Sequence, residues 1–206
     1  MRVTDLRQGK RKLFSVFIDG EFAFSASEEI LYLHNLRPGE EIPCEALAAA
    51  MDGQQRLYAK NRALELLSYG DQSEKTLYGK LVRGGIDPRY AAGAVAYAVE
   101  QGLVDDQRYA GALCKYLFEQ KKYGAKRVRN VLYEKGLDKQ TADAAVAQCA
   151  PDPVAVLAEL LEKEPPAAIA DRLLLKKTVD RLLRRGFRYE DIRTALRLVA
   201  DQNIEE

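Results

Sequence analysis

The stretch VLYEKGLDKQTADAAV, Val131–Val146, has two near copies in the same chain, KLVRGGIDPRYAAGAV over Lys80–Val95 and RLLRRGFRYEDIRTAL over Arg181–Leu196. Their glycines, Gly85, Gly136 and Gly186, recur after 51 and then 50 residues. Leu81, Leu132 and Leu182 stand four residues before these glycines, and Ile86, Leu137 and Phe187 follow them directly. Such a phrase reads as a helix ended by glycine at C′, where a left-handed backbone costs least, with an apolar residue folded back on the last turn. A second helix then starts at once, at Asp87-Pro88 in the first copy and at Asp138 in the second.

Another amphipathic segment precedes each phrase: YAKNRALELLSY in the first unit and DQRYAGALCKYLFEQ in the second. The repeat is therefore three helices in about 50 residues, within the range of stacked arrays. The third copy is worn, because APDPVAVLAELLEKEPPAAIA carries four prolines and lacks a counterpart of LVDDQRYA.

The first 52 residues have a different period. LFSVFI and EFAFSA flank Asp19-Gly20, a dipeptide suited to a type I′ hairpin turn. Alternation places Phe14, Val16 and Ile18 on one face, with Phe22, Phe24 and Ala26 extending it across the hairpin. RVTDLRQ is a candidate third strand through a Gly9-Lys10 turn, and Ser25 or Ser27 would cap a short helix over SASEEILYLHN. Helical spacing takes over from about residue 54. The fold class expected is mainly α: three tandem three-helix repeats in an elongated array, with a small β-rich N-terminal unit. The domains expected are 1–52, 53–103, 104–150 and 151–206.

A chain of 206 residues with 47% hydrophobic and 31% charged residues carries enough apolar surface to fold. Its net charge of +1 means that attraction to nucleic acid must come from local clustering. Cys44, Cys114 and Cys149 are too scattered for a disulfide framework or a zinc site and read as reduced thiols of a cytoplasmic protein. MRVTDLRQGK lacks the apolar core of a signal peptide, and no run approaches the roughly 20 apolar residues of a membrane span.

Catalytic motifs are missing from the sequence. There is one histidine, His34, which rules out a two-histidine metal helix and reads as a solvent-facing or capping residue. No P-loop occurs, RQGKRK is a charged turn, and Asp105-Asp106 reads as an N-cap and first-turn pair. No enzyme, cofactor or metal is expected.

Two basic clusters remain as candidate contact sites. Lys121, Lys122, Lys126, Arg127 and Arg129, followed by Lys135, share a segment whose one acid is Glu134 and which is interleaved with tyrosines. Lys176, Lys177, Arg181, Arg184, Arg185 and Arg188 form the second, in which Lys177, Arg181, Arg184 and Arg188 would make one helical stripe. Both suit contact with acidic protein surface or phosphate, and both also suit a solvated face.

Three phrases, ALELLSYGDQSEKTLYGKLVRGGID, GLVDDQRYAGAL and KKYGAKRVRNVLYEKGLD, resemble the RecX regulators of the RecA recombinase. FSVFIDGEFAFSASEEI is similar to the β-rich extension of some members, and the third unit matches mainly through KKTVDRLLRRGF. The resemblance implies a non-catalytic protein that binds RecA filaments and modulates, with inhibition the expected direction, RecA ATPase and strand exchange in recombination, DNA repair and the SOS response; a cytoplasmic monomer is expected. Single- or double-stranded DNA is a second candidate partner. The alternative is a helical-repeat protein that acts directly on nucleic acid. Against it, a helix reading a DNA groove wants Arg, Asn or Gln at adjacent outward positions, and DPRYAAGAV and DKQTADAAV are alanine-rich there.

Overall fold

The computed structural model describes residues 1–9, 12–165 and 171–205. Lys10 of the expected Gly9-Lys10 turn, Arg11 of RQGKRK and the 166–170 part of the third repeat lie outside the described residues. The chain forms two compact units, one made of residues 1–70 and 77–103, the other of 71–76 and 104–206.

The first unit begins with a three-stranded antiparallel sheet in the order β1 (Val3–Gln8), β2 (Leu13–Ile18), β3 (Glu21–Ser27). Asp19 and Gly20 both have positive φ, 50° and 90°, as a type I′ turn demands. Alternation alone misplaces Phe22. A register shift after Val16 leaves Ala23 unpaired, so Ala23 packs against the core while Phe22 pairs with Phe17 on the outer face and stays 58% exposed. A β-bulge reverses the inward set beyond it, and sequence period cannot announce one.

Val3, Val16, Ile18, Ala26 and Ile30 form the core beneath the sheet, closed by α1 (Glu28–Leu33) and the start of α2 (Cys44–Ser68). Ser27 caps α1, its Oγ accepting from Ile30 N, and half-buried His34 is the C-cap. Helix α2 runs unbroken for 25 residues, starting ten residues before the helical period becomes legible. Its buried Gln54 reaches back to the sheet, the side-chain carbonyl accepting from Ser27 N at 2.7 Å. The latter half of α2 serves the first repeat, packing on α4 (Pro88–Glu100), with α3 (Glu74–Arg83) between them in sequence.

In the second unit α5 (Asp106–Glu119), α6 (Ala125–Glu134) and α7 (Lys139–Cys149) enclose Cys114, Leu117, Val128, Leu132 and Val146. Among the described residues the third repeat has three helices, α8 (Pro153–Glu162), α9 (Arg172–Arg184) and α10 (Tyr189–Glu205), around Leu157, Leu161, Leu182 and Ile192. Proline does not break α8, because Pro153 occupies its first turn, where no N–H partner is needed, and Asp152 supplies the cap. Asp105, Asp138 and Asp171 cap α5, α7 and α9 in the same way.

Each repeat glycine is left-handed, with φ of 87°, 85° and 94° at Gly85, Gly136 and Gly186. Ile86, Leu137 and Phe187 donate their N–H groups back to Leu81, Leu132 and Leu182, which closes a Schellman motif over a buried apolar pair. Two of these turns also serve as joints. The Lys135 carbonyl, beside Gly136, accepts from Ser73 Oγ at 2.5 Å and Thr76 Oγ1 at 2.9 Å, at the first turn of α3. One repeat further on, the Arg185 carbonyl accepts from Gly124 N at 2.8 Å and the Gly186 carbonyl from Lys126 N at 3.3 Å, at the first turn of α6. Gly124 has no side chain with which to cap α6, and the Gly186 carbonyl does that work. Each joint sets a negative helix C-terminus against a positive N-terminus.

Asp105 and Asp106 divide their labour in a way the sequence conceals. Asp105 caps its own helix, whereas the Asp106 carboxylate accepts from Glu74 N at 2.9 Å and so helps to cap α3. Burial pushes the Asp106 carboxyl above its ordinary range, outweighing the opposing bond from Glu74.

Two expectations follow. A Cβ at Gly124 would fall on the backbone of Gly186 and Phe187, whereas one at Gly85 meets nothing within 4 Å. Gly124→Ala should therefore cost about 3 kcal/mol or more, although Gly124 has an ordinary φ of −77°. Gly85→Ala should cost about 1–2 kcal/mol from its left-handed φ alone. Urea unfolding of both variants checks the order, and the reverse ranking would remove the joint. For Asp106, the native state holds its proton to higher pH than the unfolded chain does, so the residue's contribution to stability falls as pH rises from 3.8 through the raised value. Asp106→Asn should therefore compare more favourably with the unaltered protein at neutral pH than at about pH 3. Parallel urea titrations at the two pH values measure the difference.

Candidate partner-binding surface

The joint at Gly124 and Gly186 brings the two basic clusters together, although about 60 residues separate them along the chain. Arg185 fastens it further, its guanidinium donating to the Lys121 carbonyl at 3.0 Å. Arg185 is thus partly buried and occupied by the fold.

Several expected contact cations are already engaged. Lys122 pairs with Glu159 at 3.0 Å, and the same carboxylate takes Lys163 at 2.8 Å; Lys163 and then Lys122 hold the Glu159 carboxyl below its usual range. Arg129 pairs with Asp143 at 2.8 Å and Arg181 with Glu164 at 2.5 Å. The ammonium of Lys121 lies over the Tyr116 ring at 5.5 Å, and the guanidinium of Arg127 over Tyr123 at 5.2 Å. In sequence Glu134 is the one acid of the first cluster, but packing supplies Glu159 from α8 and Asp143 from α7.

Lys126, Lys177, Arg184 and Arg188 are exposed and make no ion pair among the described residues. The continuous helical stripe expected from Lys177 to Arg188 is not formed. Helix α9 ends at Arg184 and the backbone turns left-handed at Gly186, so Arg188 leaves the stripe. It instead joins Lys126 and Arg129 on the lining of a groove of about 380 Å³, whose apolar wall includes Phe118, Val156 and Phe187. Sequence reasoning missed that groove. Its walls come from α5, α6, α8 and the α9–α10 turn, and no local period marks positions that meet only after the repeats dock.

In the first unit the Asp52 carboxylate is taken up within the fold. Asp52 accepts from Arg56, Arg89 and Tyr90, and Arg56, followed by Tyr90, depresses its carboxyl. Among the described residues no group of three or more His, Cys, Asp or Glu is placed to hold a metal ion. Cys114 is fully buried, and burial, reinforced by neighbouring Cys149, pushes its thiol up to about 12, so it stays protonated at neutral pH. No single described helix is long and apolar enough to cross a membrane.

Three family models match the chain: the regulatory protein RecX N-terminal domain over residues 1–43, the first RecX three-helix domain over 59–97 and the second over 105–146. The chain is 29% identical over 199 residues to the regulatory protein RecX of Clostridioides difficile, covering 94% of this chain and 93% of that one. To the regulatory protein RecX of Lactobacillus delbrueckii subsp. bulgaricus it is 30% identical over 184 residues, with coverage of 88% and 67%. Two crystal structures are similar. One, a regulatory protein RecX, has a TM-score of 0.67 at 22% identity over 97% of this chain and 98% of that one. The other, RecX from Lactobacillus salivarius, has a TM-score of 0.65 at 25% identity, covering 72% and 98%.

The thiols give a check on the second repeat's core. At neutral pH iodoacetamide should modify exposed Cys44 quickly and leave Cys114 untouched until the protein unfolds. Mass spectrometry of the timed reaction reads this, and early labelling of Cys114 would mean that the core opens.

Proposed function

The chain belongs to the RecX family, and from that premise we propose that it is a non-catalytic regulator that binds RecA filaments and lowers their ATPase and strand-exchange activity. It works in the cytoplasm, as a monomer and without a cofactor. The observation that carries the reading is a set of exposed cations, among them Lys126, Lys177, Arg184 and Arg188, that make no ion pair among the described residues and stand on helices and turns of the second unit. Charges left uncompensated by the fold are those free to meet an acidic protein surface or phosphate.

Direct duplex reading has less support. Arg89, in the first turn of α4, donates to Asp52 and Tyr90, so its guanidinium is already bound within the first repeat. Bidentate recognition of a base would require releasing it.

Charge reversal tests the reading. Lys126→Glu, Lys177→Glu and Arg184→Glu together should leave the circular dichroism spectrum unchanged and weaken co-sedimentation with RecA filaments by about tenfold or more. Binding of the unaltered protein should itself weaken as salt rises from about 50 mM to about 200 mM. It should lower DNA-dependent ATP hydrolysis by RecA and hydrolyse no ATP alone. If the triple variant binds filaments and lowers RecA ATPase as the unaltered protein does, these cations are a solvated face.

A further inference from the structure

We propose that the groove at the Gly124–Gly186 joint binds an acidic peptide segment of a protein partner, with one bulky apolar side chain of that segment inserted against Phe118, Val156 and Phe187. The proposal deepens the regulatory reading and rests on it for the source of the segment, while the chemistry of the groove stands apart from it.

The groove has two chemically distinct parts. Its floor and walls are apolar: Phe118 from α5, Ala125 from α6, Val156 from α8, Phe187 from the α9–α10 turn and two prolines, Pro151 and Pro153. At about 380 Å³ it suits a single side chain and its flanking backbone rather than a large ligand. Its lining also carries Lys126, Arg129 and Arg188 against one carboxylate, Asp191. Arg129 is partly compensated by Asp143, but Lys126 and Arg188 make no ion pair among the described residues. The first turn of α6 carries no acidic side chain, but its N-terminus is already met by the carbonyls of Arg185 and Gly186, so the positive field of the groove comes from the side chains of Lys126 and Arg188. The net field calls for negative charge, and the apolar interior for a hydrocarbon or aromatic group between the charges.

An acidic peptide meets both demands better than a nucleic acid strand. Strands are held by bases stacked on open aromatic faces and by cations along a phosphate track. Phe118 and Phe187 are only 5% and 6% exposed, and Arg127 lies over the Tyr123 ring. Asp191 would face a phosphate track with like charge, whereas a peptide can offer it backbone N–H groups.

A fluorescein-labelled short peptide of Asp and Glu with one central Phe is the probe, read by fluorescence anisotropy against the full-length protein. Replacing that Phe with Ala should weaken binding about tenfold. Arg188→Glu should weaken it similarly, and Ala150→Trp, at an exposed position on the groove lining, should block it. Neither substitution should move the melting temperature. Failure of the Phe peptide to bind, equal binding of the Phe and Ala peptides, or binding unaffected by both substitutions would overturn the proposal. So would displacement of the peptide by a charge-matched oligothymidylate whose own affinity falls with the same substitutions, since the groove would then be a nucleic acid site. Co-sedimentation with RecA filaments separates this proposal from the regulatory reading. If the unaltered protein binds the Phe peptide but not the filament, the regulatory reading fails and the groove stands. If Ala150→Trp loses the peptide but keeps the filament, the groove is removed as the filament contact and the regulatory reading stands.

Discussion

A backbone carbonyl at the end of one helix, accepting hydrogen bonds from the first turn of a helix in the preceding repeat, is the contact on which the second unit depends. It is made twice, by Lys135 to Ser73 and Thr76 and by Arg185 and Gly186 to Gly124 and Lys126. Helix ends leave donors and acceptors without intrahelical partners. At the second joint the carbonyls of Arg185 and Gly186 meet backbone N–H groups of Gly124 and Lys126, and at the first the Lys135 carbonyl meets the hydroxyls of Ser73 and Thr76. The contact demands close backbone approach, which is why glycine stands on both sides of the second joint. Gly186 lies against the backbone of Arg127, and Gly124 against that of Gly186.

The charge distribution follows from the same joint. Docking the α9–α10 turn on α6 consumes Arg185 as a fastener, and the surrounding packing neutralises Lys122, Arg129 and Arg181 with acids from elsewhere in the chain. What remains uncompensated is smaller than the sequence clusters suggest. Lys126 and Arg188 converge on one groove, while Lys176, Lys177 and Arg184 stay on α9 and Lys135 at the end of α6. Exposed pairs of this kind add little to stability. Their larger consequence is to decide which cations are free for a partner.

Helix capping divides in a similar way between what is local and what is not. Asp105, Asp138, Asp152 and Asp171 each bond to N–H groups two or three residues on, within reach of any chain of that sequence. Asp106 and Gly186 cap helices 32 and 60 residues away in sequence. For Asp106 the service requires burial, and the raised carboxyl pKa is its physical trace.

The repeat, the left-handed glycines, the aspartate caps, the Asp19-Gly20 hairpin and the mainly helical class are set by short-range physics and were legible from the amino-acid order. Positive φ, N-cap bonding and amphipathic period each involve residues only a few positions apart. Tertiary structure decided the bulge that turns Phe22 outward, the early start of α2, the exit of Arg188 from the expected stripe, the pairing of Lys122, Arg129 and Arg181, and the groove. All but the early start of α2 depend on which residues meet once strands align, a helix stops or repeats dock. Coulomb and packing energies act through space, so the same cation is a free contact or a spent one according to neighbours that its own stretch of sequence does not contain.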